Sequence, residues 1–231
     1  MKLADVLTNL LFLFYPKRCV ICGDSLIHNE DHFCLECSLK LPKTNYHLCD
    51  ENRAVDRFAG KIPLIKASSY LYYDKDGIGQ TLIAEIKYRK NQELGKWFGA
   101  YLAKDLVTSS HFFQDIDYLV PVPLHPKKQR QRGFNQAEII AKGVSQITNI
   151  PLETKNLYRS KANSSQTKKG VYERWKNTTG IFEIKDKHLF AGKHILLIDD
   201  VLTTGATLEV CATCLLSSPN SKVSFLTIAI A

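Results

Sequence analysis

One stretch near the end of the chain constrains the fold most, HILLIDDVLTTGAT at residues 194–207. Its first five residues form a short, mostly apolar run that is typical of a buried strand. Two aspartates follow directly, then threonines and a glycine, and a segment with helical composition begins at Ala206. Because ligands in open α/β sheets bind at the carboxyl ends of strands, the stretch predicts an α/β fold with a site at that edge.

Each part of this stretch suits a phosphorylated sugar. Exposed amides at a helix N-terminus attract a phosphate, threonine hydroxyls add donors, and a glycine lets the backbone approach closely. The carboxylates of Asp199 and Asp200 can accept hydrogen bonds from vicinal sugar hydroxyls and can hold Mg²⁺ directly or through water. The predicted phosphate-binding residues are Thr203, Thr204, Gly205, Ala206 and Thr207. The expected ligand carries a 5′-phosphate and a metal-bound diphosphate.

The stretch also closely resembles the phosphoribosyl pyrophosphate (PRPP) motif of type I phosphoribosyltransferases. That motif is an apolar strand, two acidic residues, two variable residues and then Thr-Thr-Gly-Ala-Thr or a close relative, and every position matches here. An ordinary N-capped helix after a core strand would account for the aspartates and threonines singly, but not for the whole run. The resemblance implies the phosphoribosyltransferase fold, with PRPP and Mg²⁺ as ligands.

A second candidate anion site is PVPLHPKKQRQRGFNQ at residues 121–136. A predicted strand at 116–122 ends in prolines that force an extended exit, and a basic turn follows. Arginines and lysines in such a turn stabilise the charge that develops on a leaving diphosphate. A basic turn that only faces solvent has the same composition.

This segment is highly similar to the ComF family, whose hallmark is Pro-x-Pro followed by Arg-Gly-Phe-Asn-Gln. The resemblance implies that the segment abuts the diphosphate of PRPP, and it marks as site residues Arg132, Gly133, Asn135 and Gln136, with Lys127, Lys128 and Arg130 as weaker candidates. Two further segments resemble the family. They are Ile86-Lys87-Tyr88 and a polar loop at 160–179 that contains Gln166, Arg174 and Asn177. Such a loop covers the reacting carbon, although a loop without ligand contact is equally compatible with these residues.

Four of the seven cysteines form two Cys-x-x-Cys knuckles, Cys19 with Cys22 and Cys34 with Cys37. In a chain without a secretory signal this pattern indicates metal binding rather than disulfides. Four thiolates complete a tetrahedral, structural Zn²⁺ site. ComF proteins often carry a second pair of knuckles, but Cys49 is followed here by Asp-Glu-Asn, so we expect that pair to be degenerate. Cys211 and Cys214 fall in a predicted helix and are expected to be buried thiols.

The formal charge of +8 and the pI of about 9.0 favour polyanionic partners such as nucleic acid, phosphate-rich ligands or an anionic membrane. Residues 1–15 are apolar but too short to cross a membrane, and they lack a signal-peptide cleavage site, so a cytoplasmic location is predicted. Their apolar residues recur at helical spacing and make one face: Leu3, Val6, Leu7, Leu10, Leu11 and Phe14. Such a helix packs on the protein itself, or it rests on a membrane or a partner.

The remaining pattern alternates strands and helices, which favours a parallel sheet with right-handed crossovers. Strands are predicted at 66–73, 116–122, 152–158, 194–198 and 223–230, and helices at 80–88, 93–106, 134–147 and 206–216. We therefore predict a helix and zinc ribbon at 1–60 and, at 61–231, a phosphoribosyltransferase-like α/β domain with about five parallel strands flanked by helices.

These features predict a Mg²⁺-dependent phosphoribosyltransferase that binds PRPP, with Asp199, Asp200 and Arg132 as its catalytic residues and no general base identified. The acceptor cannot be read from the residues. ComF-type proteins are implicated in DNA uptake during natural transformation, so the alternative is a non-catalytic single-stranded DNA binding factor on the same fold. Its partners would be single-stranded DNA and the DNA-uptake machinery.

Overall fold

The computed structural model describes residues 16–89, 91–160 and 181–231. Its strands are β1 (Leu64–Tyr72), β2 (Tyr118–Pro121), β3 (Leu157–Arg159), β4 (Phe182–Ile184), β5 (His194–Leu202) and β6 (Lys222–Ile230). Four of them form the central sheet in the order β1-β6-β5-β2, with each neighbouring pair parallel. The carboxyl ends of all four strands therefore lie at one edge, the edge at which the sequence places a ligand.

The helices are α1 (Leu35–Leu39), α2 (Arg53–Asp56), α3 (Ile78–Tyr88), α4 (Gln92–Ser109), α5 (Pro126–Arg132), α6 (Gln136–Thr148) and α7 (Ala206–Leu215). Short 3₁₀ turns at Tyr46–Leu48 and His188–Phe190 complete the regular structure. Several helices begin at polar caps. Asn91 accepts a hydrogen bond from the amide of Leu94 at 3.0 Å, and Asn135 accepts one from the amide of Ala137 at 3.1 Å.

The sheet is covered on both faces, which is why its strands are apolar almost throughout. Leu196 and Ile198 of β5 point to one face, into a core that they share with α3, α4 and α6. Ile195 and Leu197 point to the other face, into a core that they share with α7 and the segment around α2. The architecture is thus a three-layer α/β/α sandwich. The fold-class prediction of a parallel sheet flanked by helices is confirmed.

The sheet is narrower than predicted. The fifth strand, expected at 152–158, is reduced to a single parallel bridge between Leu119 and Leu152, after which the chain leaves the sheet. Its last residues belong instead to β3, which pairs antiparallel with β4 in a separate two-stranded sheet. Proline at position 151 donates no backbone hydrogen bond, which limits pairing at this edge of the sheet.

The basic turn predicted after the Pro-x-Pro segment is also corrected, because it is the helix α5. His125 caps it by accepting a hydrogen bond from the amide of Lys127 at 3.0 Å, and Pro126 occupies its first position. Gly133 ends it in the left-handed conformation, with φ of 85°. The four cations that follow Pro126 therefore lie on a short helix rather than on an irregular turn.

The cysteine-rich segment packs directly on the α/β sandwich. Phe33, which is 3% exposed, meets the ring of Trp97 edge-on at 5.1 Å. Further along, Lys43 forms an antiparallel bridge with Leu71 of β1, and Phe58 lies in the same core as β5 and β6. Residues before position 60 therefore contribute to the main core. The domain boundary at that position stays a prediction.

In the part of the chain that the structure describes, no helix has the length and apolar character needed to cross a membrane. The apolar face at residues 3–14 lies outside the described residues, and so do Gln166, Arg174 and Asn177.

Candidate functional site

Two aspartates, Asp199 and Asp200, lie within β5 near its carboxyl end and form the acidic pair of the site; the strand continues to Leu202, four residues beyond its predicted end. The amide of Asp200 donates to Oδ1 of Asp199 at 2.9 Å, and Asp200 is 8% exposed. Lys87, on the last turn of α3, places its Nζ 2.9 Å from Oδ1 of Asp200. Burial, together with the neighbouring charge of Asp200, raises the pKa of Asp199 to about 7, although the Asp200 amide and Lys87 act against the shift. Lys87 therefore neutralises this acidic pair only in part.

Of the five residues predicted to bind phosphate, Thr203, Thr204 and Gly205 form the turn between β5 and α7, and Ala206 and Thr207 are the first residues of α7. Together they are called the phosphate turn. Gly205 caps α7 with φ of 81°, a left-handed conformation that favours glycine. The side chains on either side of it are exposed, and Ala206 donates its amide to Oγ1 of Thr204 at 3.4 Å. Amides at the start of this ten-residue helix thus face the carboxyl edge next to the acidic pair, which makes the turn a suitable cradle for a phosphate.

Two residues that follow α2, Arg57 and Phe58, contact the phosphate turn. The guanidinium of Arg57 donates to the backbone oxygens of Thr203 and Ala231, and so links the turn to the end of β6. Phe58 lies beneath Gly205, where a Cβ on the glycine would stand 2.8 Å from Cε1 of the ring. Neither residue was identified from the sequence as part of the site, since nothing in the local pattern around position 57 indicates a contact 146 residues away.

Arg132, the predicted catalytic arginine, lies at the end of α5 with its guanidinium carbon 5.7 Å from the centre of the Tyr88 ring. Tyr88 follows Lys87, so the same turn of α3 contacts both the acidic pair and Arg132. Lys87 is a third site residue that was not identified from the sequence, after Arg57 and Phe58. The available signal was the resemblance of Ile86-Lys87-Tyr88 to a ComF segment.

The other site residues predicted from the segment at 121–136 lie in different environments. Gly133 is exposed. Asn135 is 8% exposed and is engaged at both ends, because its Nδ2 donates to the carbonyl of Val122 at 3.0 Å while its oxygen caps α6. Gln136 is 2% exposed, and its Nε2 has no hydrogen-bond partner among the described residues. Contact of these side chains with a ligand stays a prediction.

The four knuckle cysteines converge as predicted. All four sulfurs lie within 4.8 Å of one another, and those of Cys22 and Cys34 are 3.7 Å apart. Sulfurs bound at about 2.3 Å to one tetrahedral ion would stand about 3.8 Å apart, so this spacing fits Zn²⁺. Amides also donate to the sulfurs: Cys34 to Cys19 and Cys37 to Cys34, both at 3.4 Å.

The remaining cysteines do not join this cluster, and within the described ranges no second group of ligands that could hold a metal is found. Cys49 is exposed, as is the acidic segment that follows it. Cys211 is fully buried in α7, and Cys214 is half-buried with its sulfur 3.4 Å from the carbonyl of Phe182. Their prediction as buried helical thiols is confirmed for Cys211 and holds in part for Cys214.

A parallel sheet with a phosphate turn and an acidic pair at its carboxyl edge, joined to a four-cysteine ribbon, defines a zinc-ribbon protein with the type I phosphoribosyltransferase fold. Family comparison agrees with this class. Residues 10–52 match the double zinc ribbon domain, and residues 131–229 match the phosphoribosyl transferase domain.

Three curated relatives carry related names. Competence protein ComFC of Bacillus subtilis is 31% identical over 215 residues, which are 92% of this chain and 84% of the relative. Competence protein F of Haemophilus influenzae is 31% identical over 47% of this chain and 48% of its own length. DNA utilization protein YhgH of Escherichia coli is 26% identical over 62% of this chain and 63% of its own length. The chain therefore belongs to the ComF family, as its motifs predict.

Proposed function

We propose that this protein binds PRPP together with Mg²⁺ and transfers its 5-phosphoribosyl group to an acceptor that is not identified. One observation carries the proposal. The two carboxylates lie near the end of β5, and after Val201 and Leu202 the exposed phosphate turn follows, so acceptors for sugar hydroxyls and donors for a phosphate lie close together along the chain. The phosphoribosyl transferase domain match over residues 131–229 supports the same assignment.

The acidic pair has the donor chemistry that Mg²⁺ requires. Mg²⁺ in such sites is held by one or two carboxylates, with substrate phosphates and water completing the shell. Asp199 and Asp200 would hold it here. Burial and, second to it, the neighbouring charge of Asp200 raise the pKa of Asp199, and a cation at the pair would compensate that neighbouring charge. When bound with PRPP, the ion would neutralise charge on the diphosphate.

The remaining interactions with PRPP come from side chains and backbone groups of the protein. The phosphate turn binds the 5′-phosphate through its amides and hydroxyls, and the acidic pair accepts hydrogen bonds from the ribose hydroxyls. Arg132 stabilises the diphosphate, which leaves with the electron pair of its bond to C1 as the acceptor's lone pair forms the new bond. Such a transfer needs positioning and charge stabilisation above all.

Calorimetry with PRPP and Mg²⁺ tests the binding step. Asp199→Asn with Asp200→Asn removes two charged acceptors, each contributing about 1.5–3 kcal/mol, so affinity should fall about a hundredfold or more. The variant Asp50→Asn with Glu51→Gln is the control, because it removes the same charge from an exposed acidic pair outside the site. Equal PRPP affinity in the two double variants would refute the site.

The transfer step needs a separate assay. Purified protein is incubated with PRPP and a panel of nucleobases and amines, and pyrophosphate release is followed. Release that depends on one class of acceptor identifies the acceptor, whereas PRPP binding without any release would leave the protein as a PRPP-binding module of the same fold.

A second candidate function is the binding of single-stranded DNA, and the surface of α5 favours it. Lys127, Lys128 and Arg130 are exposed, and within the described residues their side chains form no ion pair. Relatives named for competence and DNA utilization support the same role. A cytoplasmic location, and contact of residues 1–15 with a membrane or with the DNA-uptake machinery, stay predictions.

Salt dependence tests this second function. Each cation engaged by single strands adds about 0.7 to the slope of log affinity against log salt, so glutamine at all three α5 positions should lower the slope by about 2. Lys96→Gln, Lys104→Gln and Lys155→Gln together give a control with the same change in charge at exposed sites elsewhere. If the wild type retains no single-stranded DNA at low salt, with or without PRPP, this function is excluded.

A further inference from the structure

One lysine holds a position that neither the transfer reaction nor the phosphate cradle requires. Lys87 pairs with Asp200 at 2.9 Å, and the side chains of the two residues are only 20% and 12% exposed. The pair is therefore largely removed from water, unlike the i,i+4 pair between Lys40 and Glu36, where both side chains are more than half exposed. A shielded pair of this kind is screened little by salt and holds its geometry.

The turn that carries Lys87 is fixed on several sides. Ile86, the residue before it, is fully buried in the core of the sandwich. Tyr88, the residue after it, lies against the guanidinium of Arg132. Lys87 also lies in the last turn of α3, where the helix dipole favours a cation. The ammonium is thus directed onto the acidic pair by the fold and is not a solvent-exposed side chain that happens to lie nearby.

The position of the ammonium has a consequence for metal binding. It contacts Oδ1 of Asp200, one of the carboxylate oxygens available to a divalent cation near the carboxyl end of β5. It also places a positive charge next to the carboxyl groups that such a cation would meet. A metal ion without a diphosphate has to displace Lys87 from the carboxylate of Asp200 or share that carboxylate with it. A metal ion bound to a diphosphate already has phosphate oxygens as ligands.

We propose that Lys87 is a built-in counter-ion that occupies the acidic pair in place of a divalent metal until the diphosphate substrate delivers one. Lys87 acts here as a positioning and selectivity residue. The part of this inference that concerns the diphosphate rests on the proposed function, whereas the exclusion of free metal does not.

Mn²⁺ binding to the zinc-loaded full chain tests the inference, with free Mn²⁺ measured by electron paramagnetic resonance and no PRPP present. Lys87→Met removes a unit charge in contact with Asp200 and should tighten Mn²⁺ binding about tenfold or more. Lys87→Arg keeps the charge and should bind Mn²⁺ as weakly as the wild type. Adding Asp200→Asn to Lys87→Met should abolish the gain. Zinc content and circular dichroism establish that each variant is folded and that Mn²⁺ has not replaced zinc.

Wild-type protein provides a measurement that depends on no substitution. Its Mn²⁺ affinity should be weak alone and should rise when inorganic pyrophosphate is added, after the Mn²⁺ that pyrophosphate binds in a protein-free sample has been subtracted. Tight Mn²⁺ binding by the wild type alone would overturn the inference, and so would the lack of any gain in Lys87→Met or, if that variant does not fold, in Lys87→Gln. Failure of PRPP to bind, combined with the Lys87→Met gain, would refute the proposed function and leave the counter-ion role intact.

Discussion

Gly205 offers the sharpest test of how the phosphate turn is built. Its φ of 81° lies in the left-handed region, which costs an L-residue about 1–2 kcal/mol. A Cβ at this position would also stand 2.8 and 2.9 Å from Cε1 and Cζ of Phe58. That ring is 1% exposed and packs edge-on against Phe225 at 4.6 Å, so it has little room to move. Forcing an extra carbon into such a packed site costs about 1–3 kcal/mol more.

We therefore expect Gly205→Ala to lower the free energy of unfolding by about 2–5 kcal/mol in urea denaturation. Gly192→Ala is the matched control, because Gly192 has φ of 69° but no atom within 4 Å of the added Cβ. It should show the conformational cost alone, about 1–2 kcal/mol. The difference between the two variants isolates the contact with Phe58.

A second variant shows whether Phe58 is the cause. In a Phe58→Leu background the ring atoms that meet the new Cβ are gone, so the additional cost of Gly205→Ala should fall towards that of Gly192→Ala. Equal costs for Gly205→Ala and Gly192→Ala in the wild-type background would refute the reasoning. So would an additional cost that Phe58→Leu leaves unchanged.

Three further predictions concern the rest of the molecule. Removing zinc should unfold the ribbon, because such sites draw folding energy from the metal. Purified protein should contain about one zinc ion per chain, and Cys22→Ser should reduce solubility more than it reduces PRPP affinity. In Mg²⁺-free buffer the free energy of unfolding should fall as pH rises through about 7, since the raised pKa of Asp199 makes the native state hold a proton that the unfolded state has released; Asp199→Asn should lose that part of the pH dependence. Arg57→Met should weaken PRPP binding about tenfold with zinc content unchanged, because Arg57 joins the backbone of Thr203 to the end of β6; an unchanged calorimetric affinity would contradict this.

The sequence determined those features whose parts are neighbours along the chain. The acidic pair, the phosphate turn and the start of α7 all lie within residues 199–207, and each Cys-x-x-Cys knuckle spans four residues. A strand that is followed at once by a glycine-containing turn and a helix can adopt few backbone arrangements. Two closely spaced cysteine thiolates are suited to binding the same metal ion. The zinc cluster, the parallel sheet and the family could therefore all be predicted. The helix α5 was missed although its cap, its proline and its glycine were visible, because its basic composition suggested a solvated turn.

Only the tertiary structure decided which distant residues complete the site. Lys87 reaches Asp200 because α3 packs on one face of the sheet and ends at its carboxyl edge. Arg57 and Phe58 reach the phosphate turn because the segment after the ribbon packs on the opposite face. Periodicity along the chain shows which face of a helix is buried, but not which strand end that helix will meet. Such contacts depend on strand order and helix docking, which the whole core fixes together.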